Sequence, residues 1–325
     1  MERGEILFYL KDPEKFENIR QLADKIRMEY CGDSVHLRGI IEFSNYCQNN
    51  CCYCGLKRDN KNIIRYRMSV KEIVNRAGEI ASLGIKTVVL QSGDDLNYTC
   101  CDICDIVNKI KKKTDMAITL SIGEREYSEY KAFKDAGADR YLLRFETSNE
   151  HYYKVLHPGQ TLKRRLEILN ILRKFDYQVG TGFIVGLPEE TDNDLCNNII
   201  LLDNISPDMI GLGPFISQSD TPYNNYPNGD IKKTLTVLAL VRIITKNTHI
   251  PATTAIGTID RDGLFKALNS GANVIMPDFT PITYKENYNI YDNKVSISID
   301  MAKDVVKDAG RYISSGRGDS LKRGY

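Results

Sequence analysis

Short apolar runs rich in β-branched residues alternate along this chain with longer amphipathic stretches. Eight runs are typical of strands: LRGIIEF, KTVVLQS, MAITLSI, DRYLLRFE, QVGTGFIVG, MIGLGPF, PATTAIG and ANVIM. Helical patterns follow them at 69–84, 100–113, 126–136, 161–175, 189–203, 230–246 and 260–270, after a helical pair within 4–30. Strands that alternate with helices form parallel sheets through right-handed crossovers, and eight of them most simply close into a barrel. The predicted fold is therefore α/β, a (β/α)8 TIM barrel, with an open doubly wound sheet as the alternative.

We expect one domain, because no linker or low-complexity segment interrupts the alternation. A helical extension covers residues 1–34, the barrel core covers 35–280, and a short irregular extension covers 281–325. The basic run from Arg311 to Arg323 is expected to be a solvated tail.

The charge balance excludes several kinds of partner. Lys and Arg total 44 against 43 for Asp and Glu, so no strong field favours nucleic acid or an anionic membrane. The chain has no apolar run long enough to span a bilayer and no signal-peptide pattern at its N-terminus. The expected location is therefore the cytoplasm.

Four of the nine cysteines lie in SNYCQNNCCYCGLKRDN, directly after the first predicted strand. Cys47, Cys51 and Cys54 have the spacing C-x3-C-x2-C, and Cys52 is additional. Clustered thiols in a reducing compartment indicate metal ligation before disulfides. Three thiolates on one loop suit an iron–sulfur cluster with one open iron, whereas structural zinc would require a fourth ligand. The loop also lies at the carboxyl end of a barrel strand, where active sites form.

This spacing, with Tyr53 before the last cysteine, resembles the signature of the radical S-adenosylmethionine (SAM) enzymes. The segments CYCGLKRDNKNIIRYRMS, VLQSGDD, GADRYLLRFET, VGLPEET, GLGPFI, IPATTAIGT and GANVIMP are similar, in order and spacing, to the HydE family of [FeFe]-hydrogenase maturases. The resemblance covers about residues 35–300. It implies one [4Fe-4S] cluster, SAM as a cofactor, and reductive cleavage of SAM to a 5′-deoxyadenosyl radical. Methylornithine synthase, a radical SAM amino-acid mutase, is a relative that also has an R-Y-R segment.

The resemblance implies a role for each matching residue. The cluster ligands would be Cys47, Cys51 and Cys54. The residues expected to bind SAM are Tyr53, Ser92, Gly93, Arg144, Glu146 and Arg165. The residues expected to line the substrate cavity and act in catalysis are Thr119, Arg140, Thr253, Thr254, Tyr288 and Tyr291.

Simpler interpretations of these residues remain open on the sequence alone. Glu146 and Arg165 could form ordinary salt bridges at the barrel rim, and Tyr53 could be an exposed loop residue. Threonines favour strands anyway, and tyrosines three positions apart could form one face of a helix.

Two positions depart from the family pattern. Asp94 occupies a position where the HydE family usually has Glu, which leaves the role of its side chain open. Phe145 occupies a position where His is frequent, so no titrating group is expected there.

The remaining cysteines and the histidines give no further metal motif. Cys100, Cys101 and Cys104 lack a standard cluster spacing and are interpreted as free thiols, with metal binding as the alternative. No cysteine follows Cys196, so the second cluster that some relatives carry on C-terminal cysteines is not expected. The histidines expected to be packing or surface residues are His36, His151, His157 and His249.

The function that the resemblance implies is assembly of the di-iron subcluster of [FeFe]-hydrogenase. The substrate would be a small organometallic or cysteine-derived species, an iron–carbonyl–cyanide–cysteine precursor supplied by another maturase. Other expected partners are further hydrogenase maturases and an electron donor such as flavodoxin or ferredoxin. One alternative is a mutase of the methylornithine-synthase type, acting on a free amino acid. The other is a non-catalytic iron–sulfur scaffold, which would retain the cysteines without needing Glu146 and Arg165.

Overall fold

The computed structural model describes residues 1–322, so the last three residues of the extension predicted over 281–325 lie outside the described part. Its strands are β1 (Ser34–Leu37), β2 (Gly39–Ser44), β3 (Thr87–Ser92), β4 (Ala117–Ser121), β5 (Arg140–Leu142), β6 (Gln178–Thr181), β7 (Ile184–Val185), β8 (Met209–Ile210), β9 (Gly213–Pro214), β10 (Pro251–Ala252), β11 (Val274–Ile275) and β12 (Tyr312–Ile313). Its α-helices are α1 (Arg3–Lys11), α2 (Phe16–Cys31), α3 (Val70–Ser82), α4 (Cys100–Lys113), α5 (Tyr127–Asp135), α6 (Glu150–Leu156), α7 (Leu162–Lys174), α8 (Asp192–Ile205), α9 (Ile231–Thr245), α10 (Thr254–Ile259), α11 (Gly263–Leu268), α12 (Ile282–Lys285) and α13 (Ile299–Asp308).

The strands close into a parallel barrel. One sheet has the order β2-β3-β4-β5-β6-β8, and another has the order β10-β11-β1-β12. Parallel bridges between Met209 and His249, and between Ile40 and Asp278, join these two sheets on both sides. Strands β1 and β2 are successive halves of the first barrel strand. Counted together, they form a closed barrel of eight strands with β3, β4, β5, β6, β8, β10 and β11. The predicted (β/α)8 barrel is confirmed, and the open doubly wound sheet is excluded.

Local sequence signals set most helix boundaries. Helices α3, α4 and α8 each begin after a Ser or Thr whose hydroxyl caps the first turn, with an acidic residue three positions later that caps in return. All six residues of β2 are buried, as expected for a strand between outer helices and a filled barrel interior.

Several segments of the structure differ from the prediction. The run PATTAIG forms a strand only at Pro251–Ala252, and Thr254–Ile259 is helical, because the chain leaves the barrel there and the β-branched residues no longer have strand partners. Helix α6 was not predicted from the sequence, although Asn149 caps its first turn. The extension expected to be irregular contains α12, α13 and β12.

The described part of the basic C-terminal run is docked against the barrel, so its prediction as a solvated tail is wrong. Strand β12 pairs with β1, with Ser34 opposite Tyr312. The backbone carbonyl of Arg317 accepts hydrogen bonds from Thr87 and from Arg140, at 2.8 Å each. Thr87 and Arg140 are the first residues of β3 and β5, so this segment closes the amino end of the barrel. Arg323 lies outside the described residues.

None of the helices within residues 1–322 has the length and apolar character needed to cross a membrane.

Candidate active site

The cysteine loop follows β2 and is held by protein contacts alone. The guanidinium of Arg65 donates to the backbone carbonyls of Leu56 at 2.9 Å and Lys57 at 2.6 Å, and to that of Asn45. The side-chain amide of Asn45 donates to the carbonyl of Ile64 at 2.8 Å. These contacts fix both ends of the loop at the carboxyl end of the barrel.

The loop separates the three predicted ligands from the fourth cysteine. Cys47, Cys51 and Cys54 line the central cavity. Cys52 lies against α6 instead, where its N–H donates to the carbonyl of Leu156 at 2.9 Å and its Sγ to that of Val155 at 3.1 Å. This arrangement agrees with the interpretation of Cys52 as additional.

Burial raises the pKa of the Cys47 thiol to about 11 and that of Cys54 to about 12. Metal binding at these thiols would therefore release protons, because thiolates are the ligating form. Among residues 1–322, no three His, Cys, Asp or Glu side chains converge as the ligands of a single ion would. A four-iron cluster is wider than one ion, and its ligands stand correspondingly further apart. Three thiols of one loop that line the same cavity fit such a cluster.

A glycine lets the loop approach the neighbouring strand. Gly93 follows β3, and a Cβ atom there would lie 2.2 Å from the carbonyl oxygen of Tyr46 and 2.8 Å from Cβ of Cys47. No larger residue can occupy this position without moving the loop. Next to it, the carboxylate of Asp94 accepts from the side-chain amide of Asn49 at 2.7 Å and from the backbone of Glu124 at 3.3 Å. Asp94 therefore anchors the cysteine loop in this chain.

Glu146 carries a buried oxygen that the protein leaves unpaired. Its Oε1 is 3.0 Å from Nε of Arg144, whereas its Oε2 has no hydrogen-bond partner within residues 1–322. Its backbone has a φ of 62°, a left-handed conformation that costs a non-glycine residue about 1–3 kcal/mol. Burial raises the pKa of the carboxyl group, and the adjacent Arg144 opposes that shift. Glu146 thus combines backbone strain with a buried oxygen that lacks a hydrogen bond of ordinary length, in the wall of the cavity.

Arg165, on α7, is held firmly beside the same space. Its guanidinium donates to Oε1 of Glu124 at 2.7 Å, to the carbonyl of Arg144 at 2.7 Å and to Oε1 of Gln160 at 3.1 Å. These three bonds leave two of its five N–H groups for a ligand within the described structure. A fixed guanidinium fork of this kind is suited to a carboxylate.

Tyr53 is packed rather than exposed. Its hydroxyl is 2.9 Å from Nε2 of His157, and its ring packs against an apolar cluster that includes Ile184 and Phe215. Burial lowers the pKa of His157 to about 3, so this histidine is neutral at physiological pH. His157 also lines the cavity, in agreement with its prediction as a packing residue, although no spacing in the sequence relates it to Tyr53.

The cavity has a volume of about 360 Å³ and runs from the cysteine loop into the barrel as far as Arg38, Val89 and Met209. It is lined by all the predicted site residues except one: Cys47, Cys51, Tyr53, Cys54, Ser92, Gly93, Thr119, Arg144, Glu146, Arg165, Thr253, Thr254, Tyr288 and Tyr291. The hydroxyl of Thr119 has no hydrogen-bond partner in the described part of the chain.

Arg140 is the exception. It is fully buried at the opposite end of the barrel, where it donates to Gln178 at 2.9 Å, Thr87 at 3.0 Å and Asp319 at 2.8 Å. The structure does not bring Arg140 together with the other predicted residues, because the C-terminal segment occupies its guanidinium.

A pair of charged residues in the cavity wall, Glu42 and Lys294, was not predicted. Glu42 interrupts the apolar run of β2, and this charge within a buried strand was the only signal that the sequence offered for the pair. Lys294 lies between α12 and α13, and both side chains line the cavity. The three cysteines of the CCDIC segment are on α4, and none of them lines the cavity.

Known proteins resemble this chain in sequence and in fold. Residues 41–202 match the Radical SAM superfamily. The chain is 48% identical to the [FeFe] hydrogenase maturase subunit HydE of Thermotoga maritima, over 86% of this chain and 80% of that protein. It is 27% identical to the 3-methylornithine synthase of Methanosarcina acetivorans, over 87% of this chain and 81% of that protein. A crystal structure of methylornithine synthase (PylB) shares the fold, with a TM-score of 0.86, 23% identity, and coverage of 96% and 94% of the two chains.

Proposed function

Because this chain belongs to the radical SAM superfamily and, within it, to the family of the [FeFe] hydrogenase maturase HydE, we propose that it is a HydE-type maturase. In this proposal it processes an iron–carbonyl–cyanide–cysteine precursor during assembly of the di-iron subcluster of the hydrogenase. The precursor would come from another maturase, and a protein such as flavodoxin or ferredoxin would supply electrons. The observation that carries the proposal is the 48% identity over most of both chains.

Enzymes of this superfamily use a [4Fe-4S] cluster and SAM, which together supply a 5′-deoxyadenosyl radical. In this chain Cys47, Cys51 and Cys54 would hold the cluster. The guanidinium of Arg165 would pair with the carboxylate of SAM, and the free Oε2 of Glu146 would accept a hydrogen bond from it.

The remaining cofactor residues would shape the SAM site. The backbone at Ser92 and Gly93 would face the methionine amino group, with Arg144 next to Glu146. Tyr53 would lie beside the adenine, and its contact with His157 would fix its ring.

Further residues would prepare the cavity for the substrate. Thr119, Thr253 and Thr254 would offer hydroxyl groups to an anionic precursor, and Tyr288 and Tyr291 would close the same wall. Because the cavity runs from the cysteine loop into the barrel, its inner end would hold reactive species away from bulk water.

The mutase alternative is favoured by 27% identity with a 3-methylornithine synthase, well below the 48% with HydE, and by the shared fold with methylornithine synthase over 96% of this chain. That likeness has only 23% identity and therefore concerns the fold alone. The scaffold alternative needs no cavity lined by Glu146 and Arg165, so the geometry favours an enzyme.

The test of the proposal is made with anaerobically reconstituted protein reduced with dithionite. We expect it to release 5′-deoxyadenosine from SAM even without substrate, and Cys51→Ala to release none. Cys52→Ala is the matched control and should behave as the unaltered protein, since Cys52 lies outside the cavity. A reconstituted protein without this activity would be a scaffold.

The choice between maturase and mutase requires two substrates. With an iron–carbonyl–cyanide–cysteine complex, we expect mass spectrometry to detect an adenosylated sulfur species. With deuterated lysine, we expect no deuterium in 5′-deoxyadenosine. Deuterium transfer from lysine would instead assign the chain to the mutases.

A further inference from the structure

Two opposite charges face each other on the cavity wall, apart from the groups assigned to SAM. Glu42 lies on β2 and is 2% exposed, and Lys294 reaches it from the segment between α12 and α13. The Nζ atom of Lys294 is 2.6 Å from each carboxylate oxygen of Glu42. The ammonium also lies 5.0 Å from the centre of the Tyr288 ring.

Other contacts already anchor the segment that carries Lys294. The N–H of Val295 donates to Oγ1 of Thr258 at 3.2 Å, and Oγ of Ser296 donates to Asp278 at 3.1 Å. The carbonyl of Ile297 accepts from the backbone of Asp278 at 2.8 Å. Removing two charges from water is costly, and a well-packed apolar pair is often at least as stable. A buried ion pair in an already anchored segment therefore suggests a role that requires its charges.

The pair keeps unused hydrogen-bonding capacity beside the cavity. An ammonium has three N–H groups, and two of those of Lys294 serve the two Glu42 oxygens. A carboxylate has about four lone-pair sites, and Lys294 is the donor that Glu42 has within residues 1–322. One donor and about two acceptor sites thus remain side by side.

The pairing of charges restricts the class of ligand. A simple anion would be attracted by Lys294 but repelled by Glu42. A simple cation would be attracted by Glu42 but repelled by Lys294. A group that presents both signs within a few ångströms compensates each partner without separating the pair. An α-amino acid has this arrangement, with its ammonium and carboxylate on one carbon atom.

We propose that Glu42 and Lys294 bind the ammonium and carboxylate of an α-amino acid, with the ammonium donating to Glu42 and the carboxylate accepting from Lys294. This inference rests on the proposed function, in which the substrate contains cysteine, and it assigns the cavity wall that takes the amino-acid groups. It requires these two groups to be free of metal in the bound ligand.

Three small probes test the proposal by calorimetry on reconstituted protein saturated with SAM. S-Methyl-L-cysteine carries both charges, 3-(methylthio)propionate lacks the ammonium, and 2-(methylthio)ethylamine lacks the carboxylate. We expect S-methyl-L-cysteine to bind at least about tenfold more tightly than either truncated probe, as one lost charged hydrogen bond predicts. Equal binding of a truncated probe, or no binding of S-methyl-L-cysteine, would overturn the assignment.

Variants then connect this selectivity to the two residues. Glu42→Gln should abolish the preference over 3-(methylthio)propionate, and Lys294→Met should abolish the preference over 2-(methylthio)ethylamine. Lys111→Met is the control, because Lys111 forms a 2.6 Å pair with Asp139 and does not line the cavity. Unchanged selectivity in a folded Glu42 or Lys294 variant contradicts the proposal. None of these outcomes depends on adenosylation of the iron complex, so failure of this site and failure of the proposed function are distinguishable.

Discussion

Glu146 joins two features that a purely structural carboxylate rarely combines. It has a left-handed backbone, and one of its buried oxygens has no partner in the described structure. Each feature costs stability, so their coincidence on the cavity wall is best explained by a ligand that supplies the missing donor.

Glu146→Gln retains the shape of the side chain and removes its charge. We expect it to weaken SAM binding roughly ten- to a hundredfold, corresponding to about 1.5–3 kcal/mol for one charged hydrogen bond. Iron content should not change. Calorimetry with SAM measures the effect, and Glu189→Gln is a matched control, because Glu189 also has a positive φ of 63° but is exposed. A loss of iron in step with SAM affinity would indicate that Glu146 supports the loop rather than SAM.

At the scale of the element, the conformation of the cysteine loop depends on the hydrogen bonds that Arg65 donates to it. Arg65 gathers backbone carbonyls from both ends of the loop with a single planar guanidinium. Carbonyls so oriented keep the three thiols facing the cavity, so the R-Y-R segment would support a cluster at these thiols although it offers no ligand.

Arg65→Lys keeps the positive charge but loses the planar fork, and an ammonium cannot reach the same carbonyls together. With about 1–2 kcal/mol of hydrogen bonding removed, we expect the reconstituted cluster to lose iron to a chelator about tenfold faster. Absorbance of the released iron complex follows the reaction. Arg58→Lys, on the same loop but exposed, should release iron at the original rate. Equal rates for the two variants would show that the cysteines alone hold the loop.

At the scale of the whole molecule, the sequence predicts the periodic pattern of strands and helices. It does not predict contacts between residues that are far apart in the chain. Strand and helix patterns predicted the barrel. The position of Cys47 directly after a strand predicted that the site lies at the carboxyl end of the barrel. Arg140 and Arg144 are both near β5, and four residues of extended chain, about 13 Å, separate them. The sequence does not indicate that Asp319 would approach Arg140, or that Lys294 would approach Glu42. Such pairs join residues far apart in the chain, and only the closed fold brings them together.

The C-terminal segment should accordingly act on stability and leave the cofactor site alone. Asp319 accepts from Arg140 and from Gln178, at 2.8 Å each, at the amino end of the barrel. Its side chain is about one-third exposed, so we expect Asp319→Ala to lower the free energy of unfolding by only about 1–2 kcal/mol. Urea unfolding of the metal-free protein, followed by circular dichroism, measures this change.

Asp115→Ala serves as its control, because the carboxylate of Asp115 is paired with Lys86 at 3.2 Å but is largely exposed. This variant should leave the free energy of unfolding essentially unchanged, because the exposed pair is screened by solvent. Both variants should bind SAM as the unaltered protein does, since the amino end of the barrel lies opposite the cysteine loop. Weakened SAM binding in Asp319→Ala alone would show that closure of the amino end is transmitted to the cofactor site, whereas equal stability of the two variants would mean that other contacts suffice to keep Arg140 buried.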